Sequence, residues 1–308
     1  SLQSNGTLWS WGNNANGQLG LGNVTYYSSP KQVGALATWY KIAGGQSHTI
    51  SIKTDGTLWA WGNNGNGQLG IGSTANKSSP NQVGALTTWL VIACGNYHTL
   101  AVKTDGTLWS WGYNANGQLG LGNLTYYSSP KQVGALTTWS KLSAGYYFSI
   151  AIKTDGTLWT WGGNNKGQLG DGTTTYRSSP VQVGALTTWF QALGGDRFVT
   201  AIKTDGTLWS WGENNSGQLG LGTTSMYDTP SPNQVGALTT WLASAGSQSS
   251  TVAVKTNGTL WTWGNGATGR LGLGNTTSYS SPKQVGALTA WTKVGCTRTT
   301  TTFAIKTT

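Results

Sequence analysis

Histidine is the side chain best suited to proton transfer near neutral pH, and this chain holds only two, His48 and His98. They occupy equivalent positions of successive repeats, where the next two copies carry Phe148 and Phe198. A position that accepts either ring reads as packing. Two histidines without a cysteine or carboxylate cluster also do not make a zinc site. Cys94 and Cys296 each fall five residues after a tryptophan, where other copies have Gly44, Ala144, Gly194 and Gly246. They are expected to be free thiols acting as small hydrophobes, since in a six-bladed ring their blades would be two apart and out of disulfide reach. Of the acids, Asp55, Asp105, Asp155 and Asp205 sit in Asp-Gly turns, while Asp171, Asp196, Glu213 and Asp228 are scattered. Glycosidic chemistry would need two of the latter to converge on one cleft, and their spacing promotes no pair. The glycine-rich runs lack a following Lys-Ser or Lys-Thr, so no phosphate loop is expected. These residues predict no catalytic group, no metal, no cofactor and no enzyme activity.

Composition points the same way. Charged residues make up 8% of the 308, against about 25% in an average globular domain. There are 47 glycines and 18 tryptophans, but only four phenylalanines and one methionine. Few good helix formers remain, and the tryptophans supply large buriable surfaces, so an all-β, turn-dense domain is expected. The net charge of +10 comes from 18 bases against 8 acids. The bases are spread, with Lys53, Lys103, Lys153, Lys203, Lys255 and Lys306 recurring once per repeat. Without a basic run, no specific nucleic-acid partner is expected. No apolar stretch is long enough to span a membrane as a helix, and no signal peptide is visible. The opening Ser-Leu-Gln-Ser falls in mid-repeat, which reads as a processed or excised domain.

The elements that must position any functional residue follow from the repeat, which dominates the sequence. Trp9/Trp11 recur as Trp59/Trp61, Trp109/Trp111, Trp159/Trp161, Trp209/Trp211 and Trp261/Trp263. A third tryptophan recurs as Trp39, Trp89, Trp139, Trp189, Trp241 and Trp291. The step is fifty residues, with a two-residue insertion around Thr229-Pro230-Ser231-Pro232. The repeats run approximately 1–50, 51–100, 101–150, 151–200, 201–252 and 253–308, read as one domain. Asp55-Gly56 and its copies predict a two-residue type I′ hairpin turn. Thr-Leu-Trp-x-Trp-Gly then alternates, placing both tryptophans on one strand face. The stretch 63–67 reads as a second turn and 73–80 as a longer loop, giving three or four short strands per unit. Such sheets must pack on one another, and radial packing makes a propeller. Ser1-Leu2-Gln3-Ser4 occupies the same repeat position as Ala304-Ile305-Lys306-Thr307. Either segment could seal a closed six-bladed ring. A fragment of a seven-bladed or longer array is the alternative.

The run Trp11-Gly12-Asn13-Asn14-Ala15-Asn16-Gly17-Gln18-Leu19-Gly20-Leu21-Gly22, with Gly45-Gln46-Ser47-His48-Thr49 before the next strand, resembles the regulator-of-chromosome-condensation repeat. The resemblance covers essentially the whole chain and implies a propeller, typically of seven blades. It also implies binding through a propeller face. Some members of that family are nucleotide-exchange factors for a small GTPase, using a protruding wedge, but no insertion here is long enough to form one. Other members are bacterial, one of them an inhibitor of β-lactamases. The near-identical blades look most like a bacterial or phage-encoded member.

Function should then sit where the copies differ. Residues 13–16 vary (later Tyr113, Lys166, Glu213), as do 23–27 (Tyr26-Tyr27, Tyr126-Tyr127, Tyr176-Arg177, Met226-Tyr227) and Tyr40-Lys41. A fourth window supplies the candidate binding residues Gln46, His48, Asn96, Tyr97, His98, Tyr146, Tyr147, Asp196 and Arg197. A simple meander places 13–17 and 44–48 on one face, and the Asp-Gly turns with 23–30 on the other. The leading expectation is a monomeric, non-enzymatic module that binds a protein or cell-surface ligand through one face, outside the cell or on a virion. The alternatives are a glycan-binding propeller with a pocket between each pair of blades, and a structural scaffold element of a secreted or virion protein.

Overall fold

A computed structural model describes residues 1–296 and 302–306. The chain divides into two compact units, 1–142 and 143–308, and among the described residues every regular element except one short 3-10 turn at Ala267–Gly269 is a β-strand. The first unit holds a two-stranded sheet, β1 (Trp9–Gly12) with β2 (Tyr27–Gln32), and two four-stranded antiparallel meanders. The first meander runs β3 (Trp39–Gly44), β4 (His48–Lys53), β5 (Leu58–Gly62) and β6 (Lys77–Gln82). The second runs β7 (Trp89–Cys94), β8 (His98–Lys103), β9 (Leu108–Gly112) and β10 (Tyr127–Gln132).

The division falls inside β11 (Trp139–Ala144). The second unit continues with β12 (Phe148–Lys153), β13 (Leu158–Gly162) and β14 (Arg177–Gln182), paired in that order. Two further meanders follow: β15 (Trp189–Gly194) through β18 (Ser225–Gln234), and β19 (Trp241–Gly246) through β22 (Tyr279–Gln284). The last pair is β23 (Trp291–Cys296) with β24 (Thr302–Lys306).

Two local expectations change. The Asp-Gly hairpins are not type I′, because Gly56 has φ +77° while no aspartate among the described residues has positive φ. Gly56 donates its N–H to Lys53, and Lys53 donates to Thr57. The loop is therefore three residues long, a type I turn closed by a left-handed glycine. The Asp55 carboxylate accepts from both the backbone and the hydroxyl of Thr57, at 2.9 and 2.6 Å, which favours this turn over the shorter one.

The second change concerns the stretch read as a loop over 73–80. Lys77–Gln82 is a strand, pairing Gly62 with Lys77 and Trp59 with Gln82. Its Ser-Ser-Pro composition reads as a loop because proline cannot donate to a ladder. At the edge of a sheet, where β6 lies, that costs nothing.

The repeated motif is explained by one carbonyl. Gln18 O accepts the indole N–H of Trp61 (3.0 Å) and the hydroxyl of Thr49 (3.0 Å), both from the following repeat. Gln68 O does the same for Trp111 and Thr99, and Gln218 O for Trp263 and Thr251. Gly20, at φ +74°, lies so close that an added Cβ would sit 2.7 Å from Trp61 Nε1. Asn14 fixes the loop beneath, accepting from Leu19 N–H and donating to Asn23 O. The third tryptophans are core: Trp39, Trp89, Trp189 and Trp241 are 3–5% exposed, each edge-on to the strand pair that follows it.

Five of the six recurring lysines are core too, Lys306 being exposed. Lys53, Lys103, Lys153, Lys203 and Lys255 are buried, with Nζ 3.6–3.8 Å from the ring centroids of Trp59, Trp109, Trp159, Trp209 and Trp261. Burial lowers each ammonium's pKa, and the indole quadrupole offsets part of that cost. A good share of the basic excess is thus spent inside the fold. Cys94 and Cys296 are free thiols, as expected, and burial pushes Cys296 up to about 12.

Candidate functional site

Each hairpin returns the chain to the sheet end it left. The connection from β5 to β6 starts at Gly62 and ends opposite it, at Lys77. The variable window 23–27 therefore lies at the same end as 13–17 and 44–48. The expectation that it faces away with the Asp-Gly turns is corrected, and the cause is the unrecognised strand Lys77–Gln82.

This shared end brings three windows onto one line in each repeat. The first position is Ser47, Tyr97, Tyr147, Arg197 or Ser249, and the second is Asn63, Tyr113, Gly163, Glu213 or Asn265. They are tied by a backbone hydrogen bond from the second residue's N–H to the first residue's carbonyl, at 2.7–3.0 Å. The third position precedes the residue paired with the Trp-Gly glycine: Asn76, Tyr126, Tyr176, Asp228 or Ser278. A fourth group reaches over from the preceding repeat. Asn16 Oδ1 accepts from Asn63 (3.1 Å) and Asn76 (3.3 Å), and at the equivalent position Lys166 pairs with Asp228 at 3.4 Å.

The scaffold is constant, and its side chains differ by class. In the first unit one line is amide-bearing, while the next is aromatic, with Tyr97–Tyr113 and Tyr113–Tyr126 ring centroids 6.1 and 4.8 Å apart. In the second unit Tyr146 and Tyr147 stand at right angles, 4.3 Å apart. The next line there is charged, bringing Arg197, Glu213, Asp228 and Lys166 together near Asp196. Burial raises the Glu213 carboxyl, Asp196 and Asp228 raise it further, and Arg197 and Lys166 oppose them.

A carboxyl raised in the folded state adds stability below its ordinary titration range, and that stability is lost as pH rises through the folded value. Glu213→Gln should therefore leave the urea midpoint unchanged near pH 3 and raise it relative to the parent at pH 7. Parallel denaturation series at the two pH values measure this.

The inner loops at this end are linked to one another. Gln46 N–H donates to Asn96 O in the first unit; in the second, Tyr146 donates to Asp196 and Asp196 to Ser247. Of the candidate binding residues, Gln46 is exposed, Tyr97, Tyr146, Tyr147, Asp196 and Arg197 are half-buried, and Asn96 is buried, its amide donating to Gln46 Oε1 at 2.9 Å. His48 and His98 are 2% and 0% exposed, packed beneath Gly45 and Gly95, where a Cβ would strike the rings. Phe148 and Phe198 fill the same place against Gly145 and Gly195. The histidines are packing rings beneath the surface formed by the others. Sequence reasoning set Tyr113, Lys166 and Glu213 on the same face as the candidate binding residues, but placed the window holding Tyr126 and Tyr176 on the other. The signal was the parity of strands, hidden by the proline-containing one. Among the described residues no three metal-ligating side chains cluster, and no helix is long and apolar enough to cross a membrane.

Stacked four-stranded meanders joined through Gly-Gln-Leu-Gly loops, with a variable loop end, define a repeat-built β-protein of the propeller type. The chain belongs to the regulator of chromosome condensation (RCC1) repeat family, whose model matches residues 5–52, 55–102, 105–152, 155–202, 205–254 and 257–304. A second model of that repeat matches 39–68, 91–118 and 139–168. No curated protein matches the chain. Among solved structures, human WBSCR16 superposes with TM-score 0.84 at 22% identity, over 96% of this chain and 81% of that one. Yeast RCC1 (Prp20), in its complex with Kap60, gives 0.84 at 20% identity, over 100% and 78%. Saccharomyces cerevisiae Prp20p, described with its binding to Gsp1p and histones, gives 0.67 at 18% identity, over 100% and 93%. These likenesses concern the fold.

Proposed function

We propose that the chain is a non-enzymatic binding module that recognises a protein or surface ligand through the loop end of its sheets. The observation carrying this reading is that three windows which vary between otherwise near-identical copies converge there, on a scaffold bonded the same way in each repeat. Tyrosine and arginine are also residue types enriched among the few that carry most interface energy. That Prp20p is described binding Gsp1p and histones is consistent with partner recognition by this fold. The test is affinity capture with the intact chain, comparing the parent with loop-end and opposite-end variants.

We also propose that the six repeats close into a ring, with β24 beside β1. Leu2 pairs Leu8 as Ile52 pairs Leu58, and repeat register gives Ile305 the same partner. Trp11 is 47% exposed, whereas Trp61, Trp111, Trp161, Trp211 and Trp263 are at most 1%. Phe303 and Ile305 are 52% and 54% exposed, while their equivalents Ile50 and Ile52 are buried. A cleft of about 380 Å³ lies along β1, lined by Trp9, Trp11, Ile42 and His48, where other repeats place a strand. Thr302 already donates to Arg270 O at 2.8 Å, as Thr49 does to Gln18.

A further inference from the structure

Beside the aligned loop-end positions, one groove recurs in each unit, built from equivalent residues. In the first unit Trp109, Leu86, Gln82 and Pro130 line a groove of about 380 Å³. In the second, Trp209, Leu186, Gln182 and Pro232 line one of about 490 Å³. Both volumes fall in the range of small-molecule sites, roughly 300–1,000 Å³. Backbone from Gly70–Gly72 and Gly84 completes the first, and Gly170–Gly172 and Gly184 the second.

The tryptophan in each groove is held rigid. Trp109 donates its indole N–H to Thr107 at 2.9 Å, carries Lys103 Nζ 3.7 Å from its ring centroid, and meets Trp89 edge-on at 6.2 Å. Trp209 has the same three contacts with Thr207, Lys203 and Trp189. A partly exposed ring whose rotamer is already fixed loses little entropy on binding. Beside it, the Gln82 and Gln182 amides make no side-chain hydrogen bond among the described residues, and Ser129 and Ser231 add hydroxyls. The first groove has no ionisable lining residue. The second adds Asp171 and Arg177, which neutralise each other at 2.8 Å.

We propose that these grooves bind an uncharged sugar ring, its C–H face laid on the fixed indole and its hydroxyls bonded to the glutamine amide, the serine hydroxyl and the glycine backbone. A charged ligand would meet no ionisable lining residue in the first groove, where Lys103 is buried against the indole, and a purely apolar one would leave the amide and hydroxyls unpaired. None of the groove residues is one of the aligned loop-end positions, and neither reading depends on the other.

The experiment titrates the intact chain, with 15N-labelled tryptophan, against methyl α-D-glucopyranoside, methyl α-D-mannopyranoside, methyl β-D-galactopyranoside and N-acetylglucosamine, beside a neutral glycan array. The expected result is a saturable shift of the Trp109 and Trp209 indole signals with at least one probe. Gln82→Ala should weaken binding roughly fivefold to tenfold at Trp109 alone, from loss of one hydrogen bond, and Gln182→Ala should do so at Trp209 alone. Both glutamines are at the surface, so the variants fold. A Tyr97→Ala/Tyr113→Ala variant should bind sugar like the parent. No saturable shift with any probe together with an empty array overturns the proposal. So does binding unchanged in the Gln82→Ala/Gln182→Ala double variant.

Discussion

Trp111→Ala is expected to destabilise the chain by about 3–5 kcal/mol, the range for removing a large buried aromatic. Trp111 is fully buried, donates to Gln68 O and packs edge-on against Trp89 at 6.0 Å. Its removal opens a cavity and leaves a buried carbonyl with one donor fewer. Trp11 is the same residue of the repeat but half exposed, and exposed side chains usually contribute under about 0.5 kcal/mol. The two substitutions together test ring closure. If β24 takes the edge of β1, Trp11 gains the surroundings of Trp111, and Trp11→Ala should lower the urea midpoint nearly as far. A Trp11→Ala midpoint within error of the parent would show that the edge stays open.

Loss of partner binding should be as sharp at the loop end. Tyr97→Ala/Tyr113→Ala/Tyr126→Ala and, separately, Arg197→Ala/Glu213→Ala are each expected to weaken capture of a directly measured partner by about thirtyfold or more. That is the scale at which a few interface residues carry most of the energy. These side chains are half-buried or exposed, so thermal midpoints should move by only a few degrees. Leu36→Ser/Leu136→Ser/Leu238→Ser, exposed at the opposite sheet end, is the control and should leave binding intact. Surface plasmon resonance on the captured partner reads all three. Equal loss in the control, or none in either loop-end variant, would place recognition elsewhere.

Much of the scaffold can be read from the residues because repetition amplifies weak signals. Six copies of Thr-Leu-Trp-x-Trp-Gly leave little doubt about a strand, and the exchange of His48 for Phe148 identifies a packed ring before any coordinates. What stayed hidden had local causes. Proline in Lys77–Gln82 argues for a loop, and only its place at a sheet edge reverses that. The error carried the Tyr26 and Tyr126 window to the wrong end, so Tyr126 was never set beside Tyr113, nor Asp228 beside Glu213. The two-residue insertion added to this, since pairing of Gly212 with Thr229 makes Asp228, not Met226, the counterpart of Tyr126. In the linear sequence the recurring lysines read as spread charge. Their burial against indole needs the three-dimensional register of Lys53 on Trp59, which no linear spacing displays.

The hydrogen bond from Glu213 N–H to Arg197 O, and from Tyr113 N–H to Tyr97 O, runs between main-chain atoms and is indifferent to the side chains it connects. Recognition residues can therefore be exchanged between repeats without renegotiating the architecture beneath them. Arg197, Glu213 and Asp228 could be written into positions 97, 113 and 126 as a cassette, and the host strands would keep their register. A lineage that copies whole repeats obtains blank cassettes with each duplication. Diversifying them is then a matter of a few codons per copy, with foldability already secured.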